Sequence, residues 1–207
     1  MPVELYLAYV LATVAVLAVP GPTVILIVSY ALSRGRGAAL SYVAGVGLGD
    51  LTSVTLSLIG LGTILAASAT LFTVLKWAGA IYLIYLGIKM WRSPAAPLDA
   101  MAPKGGDRRA MVARTWFVTA LNPKSIAFYV AFLPHFVAPD RPLIPQLVLL
   151  GSTFVILGIV NALLYAFFAG GLRRRLRSTA AMTAENRLGG SFLIGAGLLT
   201  AAIRRTA

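Results

Sequence analysis

The 207-residue chain contains no cysteine and a single histidine, His135. The missing cysteines exclude thiol–disulfide exchange, thiolate metal sites and cysteine nucleophiles. One histidine cannot complete the HExxH motif of a zinc protease, and the chain has no phosphate-binding loop motif either. We therefore expect no metal ion, no other cofactor and no ATP-driven step within this chain.

Charge is also scarce, because only 12% of the residues are Asp, Glu, Lys or Arg, whereas 59% are hydrophobic. Five long stretches carry no charge, at 5–33, 37–49, 51–75, 142–172 and 188–203. Since a spanning helix needs roughly 20 mainly apolar residues, the sequence predicts an all-α integral membrane protein in a lipid bilayer. Charges and turn residues divide it into about six transmembrane helices, near 5–32, 38–63, 69–91, 113–137, 144–171 and 188–203. The last of these helices is predicted to be short.

A change of composition at 93–109 divides the chain into two sets of three helices. This segment, SPAAPLDAMAPKGGDRR, holds three prolines, two glycines and charges of both signs, which is typical of a flexible linker. The prediction is one transmembrane domain with a first three-helix repeat at 1–92, a cytoplasmic linker at 93–112 and a second three-helix repeat at 113–207.

The formal net charge of +12 would suit a nucleic-acid binder, but the positions of the basic residues indicate another cause. If six helices alternate, thirteen lysines and arginines fall on the side of the loops at 33–37, 92–112 and 172–187, against three on the opposite side. This asymmetry is the positive-inside pattern of membrane proteins. We therefore expect these loops in the cytoplasm, both termini outside and no nucleic-acid partner.

Proline interrupts two of the predicted helices deep inside their apolar segments. The first helix contains AVPGPTVILIV at 18–28, and the fourth contains TALNPKSIAFYV at 119–130. When these two segments are aligned, Pro22 coincides with Pro123. Each half has three helices, an odd number, so corresponding helices of the two halves cross the membrane in opposite directions. Two corresponding helices interrupted near the midplane of inverted halves are typical of secondary transporters. The alternative is a pair of proline kinks that only shape the packing.

Four segments together resemble one family of membrane proteins. They are PGP at 20–22, AGVGLGD at 44–50, KWAGAIYLIYLGIKMW at 76–91 and NPKSIAFYVAFLPHF at 122–136. In this order, and over almost the whole chain, they are similar to the lysine-exporter (LysE/RhtB) family. The resemblance implies six helices, often a homodimer, and export of amino acids or similar small metabolites across the bacterial inner membrane.

Charged residues inside the predicted helices are the strongest site candidates. Asp50 lies close to the middle of the second helix, Lys124 lies at a similar depth in the fourth, and Lys76 lies nearer the outer end of the third. Intramembrane charges are costly and commonly face an interior or a water path. Asp50 paired with one lysine would leave a positive charge for a substrate carboxylate. The alternative is a structural ion pair that holds the two halves together.

We expect Asp50 to carry the coupling proton, because it is the only acid within the predicted helices. The expected substrate-binding residues are the two interruptions and polar side chains near them: Pro20, Gly21, Pro22, Thr23, Lys76, Tyr82, Asn122, Pro123, Lys124, Ser125 and Asn161. The two asparagines either bind the substrate or hydrogen-bond backbone groups that the interruptions leave free. Gly45 and Gly49 form a GxxxG pair, which serves either packing within the chain or a dimer contact. We interpret His135 as a polar residue at the membrane interface.

These features predict a secondary transporter that exports amino acids or similar small zwitterions in antiport with protons, and that is not an enzyme. Two other classes fit less well. A passive channel would favour rings of like residues from several subunits, and no filter of that kind is evident. An intramembrane aspartyl or serine enzyme would need a second acid or a base near Asp50.

Overall fold

The structure is a computed structural model of the chain. It describes residues 1–18, 22–34, 36–67, 69–93, 107–138, 140–177 and 179–202. The described elements are, in order, α1 Val3–Ala18, α2 Pro22–Arg34, α3 Arg36–Ala67, α4 Ala69–Arg92, α5 Arg108–Ala120, α6 Pro123–Ala127, a π-helical segment Phe128–Phe132, a 3₁₀ turn Leu133–Phe136, α7 Leu143–Arg177 and α8 Thr179–Ala202. All of these elements are helical, so the predicted all-α class is confirmed for this part of the chain. Residues 94–106, most of the predicted linker, lie outside the described residues.

Among the described residues, two helical stretches are long and apolar enough to cross a membrane, Leu40–Gly60 in α3 and Leu143–Ala169 in α7. A third stretch qualifies if Val3–Ala18 and Thr23–Leu32, whose axes are bent by 55°, count as one span. The prediction of a short last helix is wrong, because α8 begins at Thr179 and not at 188. The helical turns before residue 188 contain the charged residues Glu185 and Arg187. A search for apolar segments leaves such residues out, although the helix continues through them.

The helical backbone is interrupted at both predicted places. In the first helix, α1 ends at Ala18 and α2 begins at Pro22, while residues 19–21 lie outside the described residues. In the fourth helix, α5 ends at Ala120 and α6 begins at Pro123. The two prolines that coincide in the sequence alignment therefore each begin a new helix, where proline is well tolerated.

Glycines bring α4 and α8 into backbone contact. A Cβ on Gly87 would lie 2.6 Å from the Gly190 oxygen, and a Cβ on Gly197 would lie 2.7 Å from the Ala80 oxygen. Only glycine allows such an approach at these positions. Residue numbers increase in opposite directions along the two helices, so α4 and α8 are antiparallel.

The GxxxG pair brings α3 against α5. A Cβ on Gly45 would lie 2.8 Å from the Val112 oxygen, and a Cβ on Gly49 would lie 2.9 Å from the Trp116 oxygen. Residue numbers increase in the same direction along both helices, so α3 and α5 are parallel. Of the two roles expected for this pair, the structure supports close packing within one chain.

Contacts of α7 give the directions of the remaining helices. Along α3, Asp50 meets Gly158 and Val54 meets Gly151, so α3 and α7 are antiparallel. Along α1, Tyr6 contacts Thr153 at 3.1 Å and Leu17 contacts Asn161 at 3.2 Å, so α1 and α7 are parallel. Consequently α1 runs opposite to α5, α3 runs opposite to α7, and α4 runs opposite to α8.

Two clusters of buried side chains form the core on either side of Asp50. The aromatic cluster contains Tyr9, Phe128, Tyr129, Phe132, Phe136 and Phe154. The Tyr30–Tyr42 cluster contains these two rings, stacked with centroids 4.0 Å apart, together with Val24, Ile27, Val46, Ala162, Ala166 and Ala169. Along α3, Asp50 lies midway between Val46 in the second cluster and Val54, which packs with the first.

Candidate functional site

A small cavity lies where both interrupted helices meet α3 and α7. Its polar lining consists of Thr23, Asp50, Thr119, Asn122, Lys124, Ser125 and Asn161. Five of these residues belong to the two interrupted helices, and a sixth is Asp50, which was predicted to face them. The Asp50 side chain is buried, with only 3% of its surface exposed. The cavity volume is about 30 Å³, which leaves room for about one water molecule. The cavity in the structure is therefore too small for an amino acid.

The free carbonyl groups at the end of α1 accept hydrogen bonds from side chains of the second half. The donors are Lys124 Nζ, Asn161 Nδ2 and Tyr165 Oη, which bond the oxygens of Val16, Leu17 and Ala18 at 3.0, 3.2 and 2.8 Å. The last four carbonyls of a helix have no partner within it, and in a membrane the protein must supply one. These three bonds therefore explain how the chain supports a helix end deep inside an apolar segment.

The second interruption is capped by its own asparagine. The Asn122 side-chain oxygen accepts a hydrogen bond from the backbone N–H of Lys124 at 3.1 Å, so Asn122 is the N-cap of α6. Pro123 takes the first helical position, where its missing N–H leaves no bond unmade. Asn122 and Asn161 both bond backbone groups at the interruptions, which is one of the two roles expected for them.

Asp50 lies directly against the backbone of α7. A Cβ on Gly158 would lie 2.5 Å from the Asp50 Oδ2 atom, so only glycine leaves space for the carboxylate in this position. The Asp50 carboxylate and the Lys124 ammonium group also lie close enough to attract each other electrostatically. A buried carboxylate needs such compensation, because an isolated charge is strongly disfavoured in a low-dielectric interior. The site thus places one acid and one base, from opposite halves, beside a common cavity.

A family model described as "LysE type translocator" matches residues 14–202. The chain belongs to the LysE translocator family. This membership confirms the family suggested by the sequence motifs, and it confirms the prediction of a membrane transporter rather than an enzyme.

Curated relatives of this LysE-family chain match over nearly its whole length. An "uncharacterized membrane protein" of Vibrio cholerae serotype O1 is 37% identical over 97% of this chain and 98% of its own. A "homoserine/homoserine lactone efflux protein" of Salmonella typhimurium is 34% identical over 99% of both chains. A "leucine efflux protein" of Klebsiella pneumoniae is 31% identical over 64% of this chain and 63% of its own. No solved structure matches the chain.

Among the expected site residues of this LysE-family protein whose side chains the structure describes, most line the cavity: Thr23, Asp50, Asn122, Lys124, Ser125 and Asn161. Thr23 and Ser125, at the beginnings of α2 and α6, both line the cavity, and the Thr23 hydroxyl lies 3.4 Å from that of Thr119. Tyr82 does not reach the cavity: it is 41% exposed on α4 and stacks on Tyr85.

Four expected positions fall wholly or partly outside the described part of the chain. Pro20 and Gly21 are outside it altogether. Pro22 is the first residue of α2 and Lys76 belongs to α4, but their side chains are outside the described residues. Their proposed contacts with a substrate therefore stay predictions.

Three residues of the site, Thr119, Tyr165 and Gly158, are not among those expected from the sequence. Tyr165 lies four residues after Asn161, and this spacing on one helix face was a usable signal. Gly158 offered no comparable signal, because a glycine in an apolar helix has many explanations. Its role depends on which side chain of α3 lies opposite to it.

Proposed function

We propose that this protein is a secondary transporter that exports amino acids or similar small zwitterionic metabolites from the bacterial cytoplasm. The observation that carries the proposal is the cavity where Asp50 and Lys124 meet the interruptions of two helices. A zwitterion carries an ammonium group and a carboxylate, and these side chains offer the complementary charges. The efflux activities in the names of two relatives favour the same class of substrate.

We infer an architecture of six transmembrane helices in two inverted halves, 1–92 and 113–207, joined by the linker at 93–112. Its support is that each pair of corresponding helices, α1 and α5, α3 and α7, and α4 and α8, runs in opposite directions. Inverted halves allow one central site to open alternately to either side of a membrane.

The proposed orientation has the basic loops in the cytoplasm and both termini outside the inner membrane. The charge asymmetry of thirteen against three supports it. A reporter fused after Ala207 is a sensitive test, because Arg204 and Arg205 oppose the positive-inside pattern at that end. A cytoplasmic reporter signal there would contradict the six-helix arrangement.

Substrate binding requires this small cavity to enlarge. In the proposed bound state, Lys124 Nζ exchanges its bond to the Val16 oxygen for one to the substrate carboxylate, near the beginnings of α2 and α6. Backbone N–H groups at helix beginnings also favour an anionic group. The substrate ammonium approaches ionised Asp50. Ser125 and Asn161, which line the same cavity, are the nearest further partners.

We propose that Asp50 couples export to the proton gradient. When the substrate leaves on the outer side, a proton takes the place of its ammonium group on the carboxylate. The protonated carrier then returns to the inward-facing state and releases the proton to the cytoplasm. This cycle moves one substrate outward for each proton that enters, which is antiport.

Transport by purified protein in proteoliposomes tests this function. Vesicles preloaded with radiolabelled L-homoserine or L-leucine are diluted with and without an imposed pH gradient, and a panel of amino acids competes. We expect efflux that the gradient accelerates and that other zwitterions of similar size inhibit. Substrate-independent proton flux would favour a channel, and no flux of any amino acid would contradict the proposal.

A further inference from the structure

Two buried hydroxyl groups next to the site have no hydrogen-bond partner among the described residues. They belong to Ser53, which is 4% exposed, and to Tyr129, which is fully buried. Buried polar groups in native proteins are nearly always hydrogen-bonded, because a buried hydroxyl without a partner loses its bonds to water. Each of these two hydroxyls is therefore able to bond a partner, such as water or a polar solute, that is not present among the described residues.

Both hydroxyls lie on the same side of Asp50. Ser53 is three residues after Asp50 on α3, so the two side chains share a helix face about one turn apart. Tyr129 follows Lys124 in the fourth helix, which is parallel to α3, and it lies within electrostatic range of Asp50. Rising residue numbers therefore lead from the cavity toward the same end of the bundle in both helices.

The backbone around Tyr129 departs from regular α-helix. Phe128–Phe132 is π-helical and is followed by a 3₁₀ turn at Leu133–Phe136. Single π-helical turns within helices occur frequently at functional sites. The Tyr129 ring packs edge-on against Phe154, with centroids 4.6 Å apart, so apolar contacts hold the ring while its hydroxyl has no partner.

We propose that Ser53 and Tyr129 line the outer half of the transport path, where their hydroxyls hydrogen-bond water and the small zwitterion passing between Asp50 and the outer face. This inference rests on the transport function proposed above. In the present structure the aromatic cluster fills that half of the bundle. In the outward-open state the cluster separates, and both hydroxyls gain the partners that they lack here.

The absence of cysteine from the chain makes a direct accessibility test available. In Ser53→Cys the introduced thiol is the only one, and a membrane-impermeant methanethiosulfonate reagent is added to the outer side of oriented vesicles. We expect labelling at a rate that saturating L-homoserine or L-leucine changes several-fold. The matched control is Thr200→Cys, since Thr200 is also fully buried with an unpartnered hydroxyl but lies on α8, which contributes no described residue to the cavity.

A pair of tyrosine variants provides a second readout. Tyr129→Phe removes only an unpartnered hydroxyl, so we expect an unchanged or raised unfolding temperature but export slowed by about tenfold, as for loss of a hydrogen bond to a charged group. In Tyr9→Phe the lost hydroxyl donates to the Leu150 oxygen at 2.9 Å. That variant should unfold at a lower temperature and keep more of its export rate.

The results of these experiments distinguish a failure of the proposed path from a failure of the proposed transport function. Labelling of Ser53→Cys no faster than that of Thr200→Cys, or full export by Tyr129→Phe, would overturn the proposed path. If the wild-type protein moves no amino acid, the transport function fails, whereas fast labelling of Ser53→Cys would still establish an outer aqueous path to this position.

Discussion

The aromatic cluster and the Tyr30–Tyr42 cluster border the same site with different side chains. The first packs rings from α1, the fourth helix and α7, such as Tyr9 and Phe136 at 5.3 Å and Tyr129 and Phe154 at 4.6 Å. The second opposes the Tyr30–Tyr42 stack to alanines on α7. Interlocking rings bury more apolar area than alanines do, so we expect the aromatic side to contribute more to stability and the alanine side to open more readily.

The largest expected effect concerns Asp50, which lies between the two clusters. Asp50→Asn keeps the shape of the side chain and removes its charge, so gradient-driven export should fall to background. Substrate exchange, which needs no proton step, should persist at a reduced rate because the substrate ammonium group loses its charged partner. Efflux and counterflow in proteoliposomes measure the two processes. Glu4→Gln, which changes an exposed acid at the start of α1, is the control and should export normally. Undiminished pH-dependent export by Asp50→Asn would reduce Asp50 to a structural partner of Lys124.

The stability difference between the clusters is tested by one truncation in each. Phe154 is fully buried, and Phe154→Ala should lower the free energy of unfolding by about 3–5 kcal/mol. Ala166→Gly, on the same helix in the other cluster, should cost about 1 kcal/mol, mainly through helix propensity. Denaturant unfolding in detergent measures both. Phe154→Leu supplies a milder substitution if Phe154→Ala does not fold, and equal losses from the two sides would refute the comparison.

Gly158 tests how the boundary between the clusters positions Asp50. In Gly158→Ala the new methyl group would lie 2.5 Å from Asp50 Oδ2, so either the carboxylate or α7 must move. We expect a loss of about 1–3 kcal/mol in stability, as for an overpacked core, together with a clear loss of export. The matched control is Gly195→Ala, where no atom lies within 4 Å of the added Cβ. That variant should export normally and gain up to about 1 kcal/mol.

The smallest expected effect concerns one of the bonds that hold the end of α1. Tyr165→Phe removes the donor to the Ala18 oxygen and should lower the free energy of unfolding by about 1 kcal/mol. Tyr85→Phe, at a tyrosine that is 55% exposed on α4, should change it little. Identical unfolding curves for the two variants would mean that Lys124 and Asn161 alone suffice to hold this helix end.

Helical elements and their interruptions were predictable from the sequence because both depend on neighbouring residues. The predicted helix at 38–63 lies within α3. Pro22 and Pro123, at the two predicted interruptions, are the first residues of α2 and α6. Asn122 next to Pro123 even encodes its own cap, since the side chain bonds a backbone group two residues away. The start of α8 was missed because an apolar pattern ends at the first charged residue, whereas helical hydrogen bonding does not.

The sequence by itself determined which residues are charged or polar inside apolar helices, and this sufficed to select Asp50, Lys124 and Asn161. Only the tertiary structure decided their partners, because those partners are distant in the chain. Lys124 bonds an oxygen 108 residues away and Asn161 one 144 residues away. Likewise the packing of α3 on α5 decided the role of the GxxxG pair, and the packing of α3 on α7 decided that Gly158 must lack a side chain. Local periodicity contains no information on which helix docks against which, since docking depends on the shapes of both surfaces.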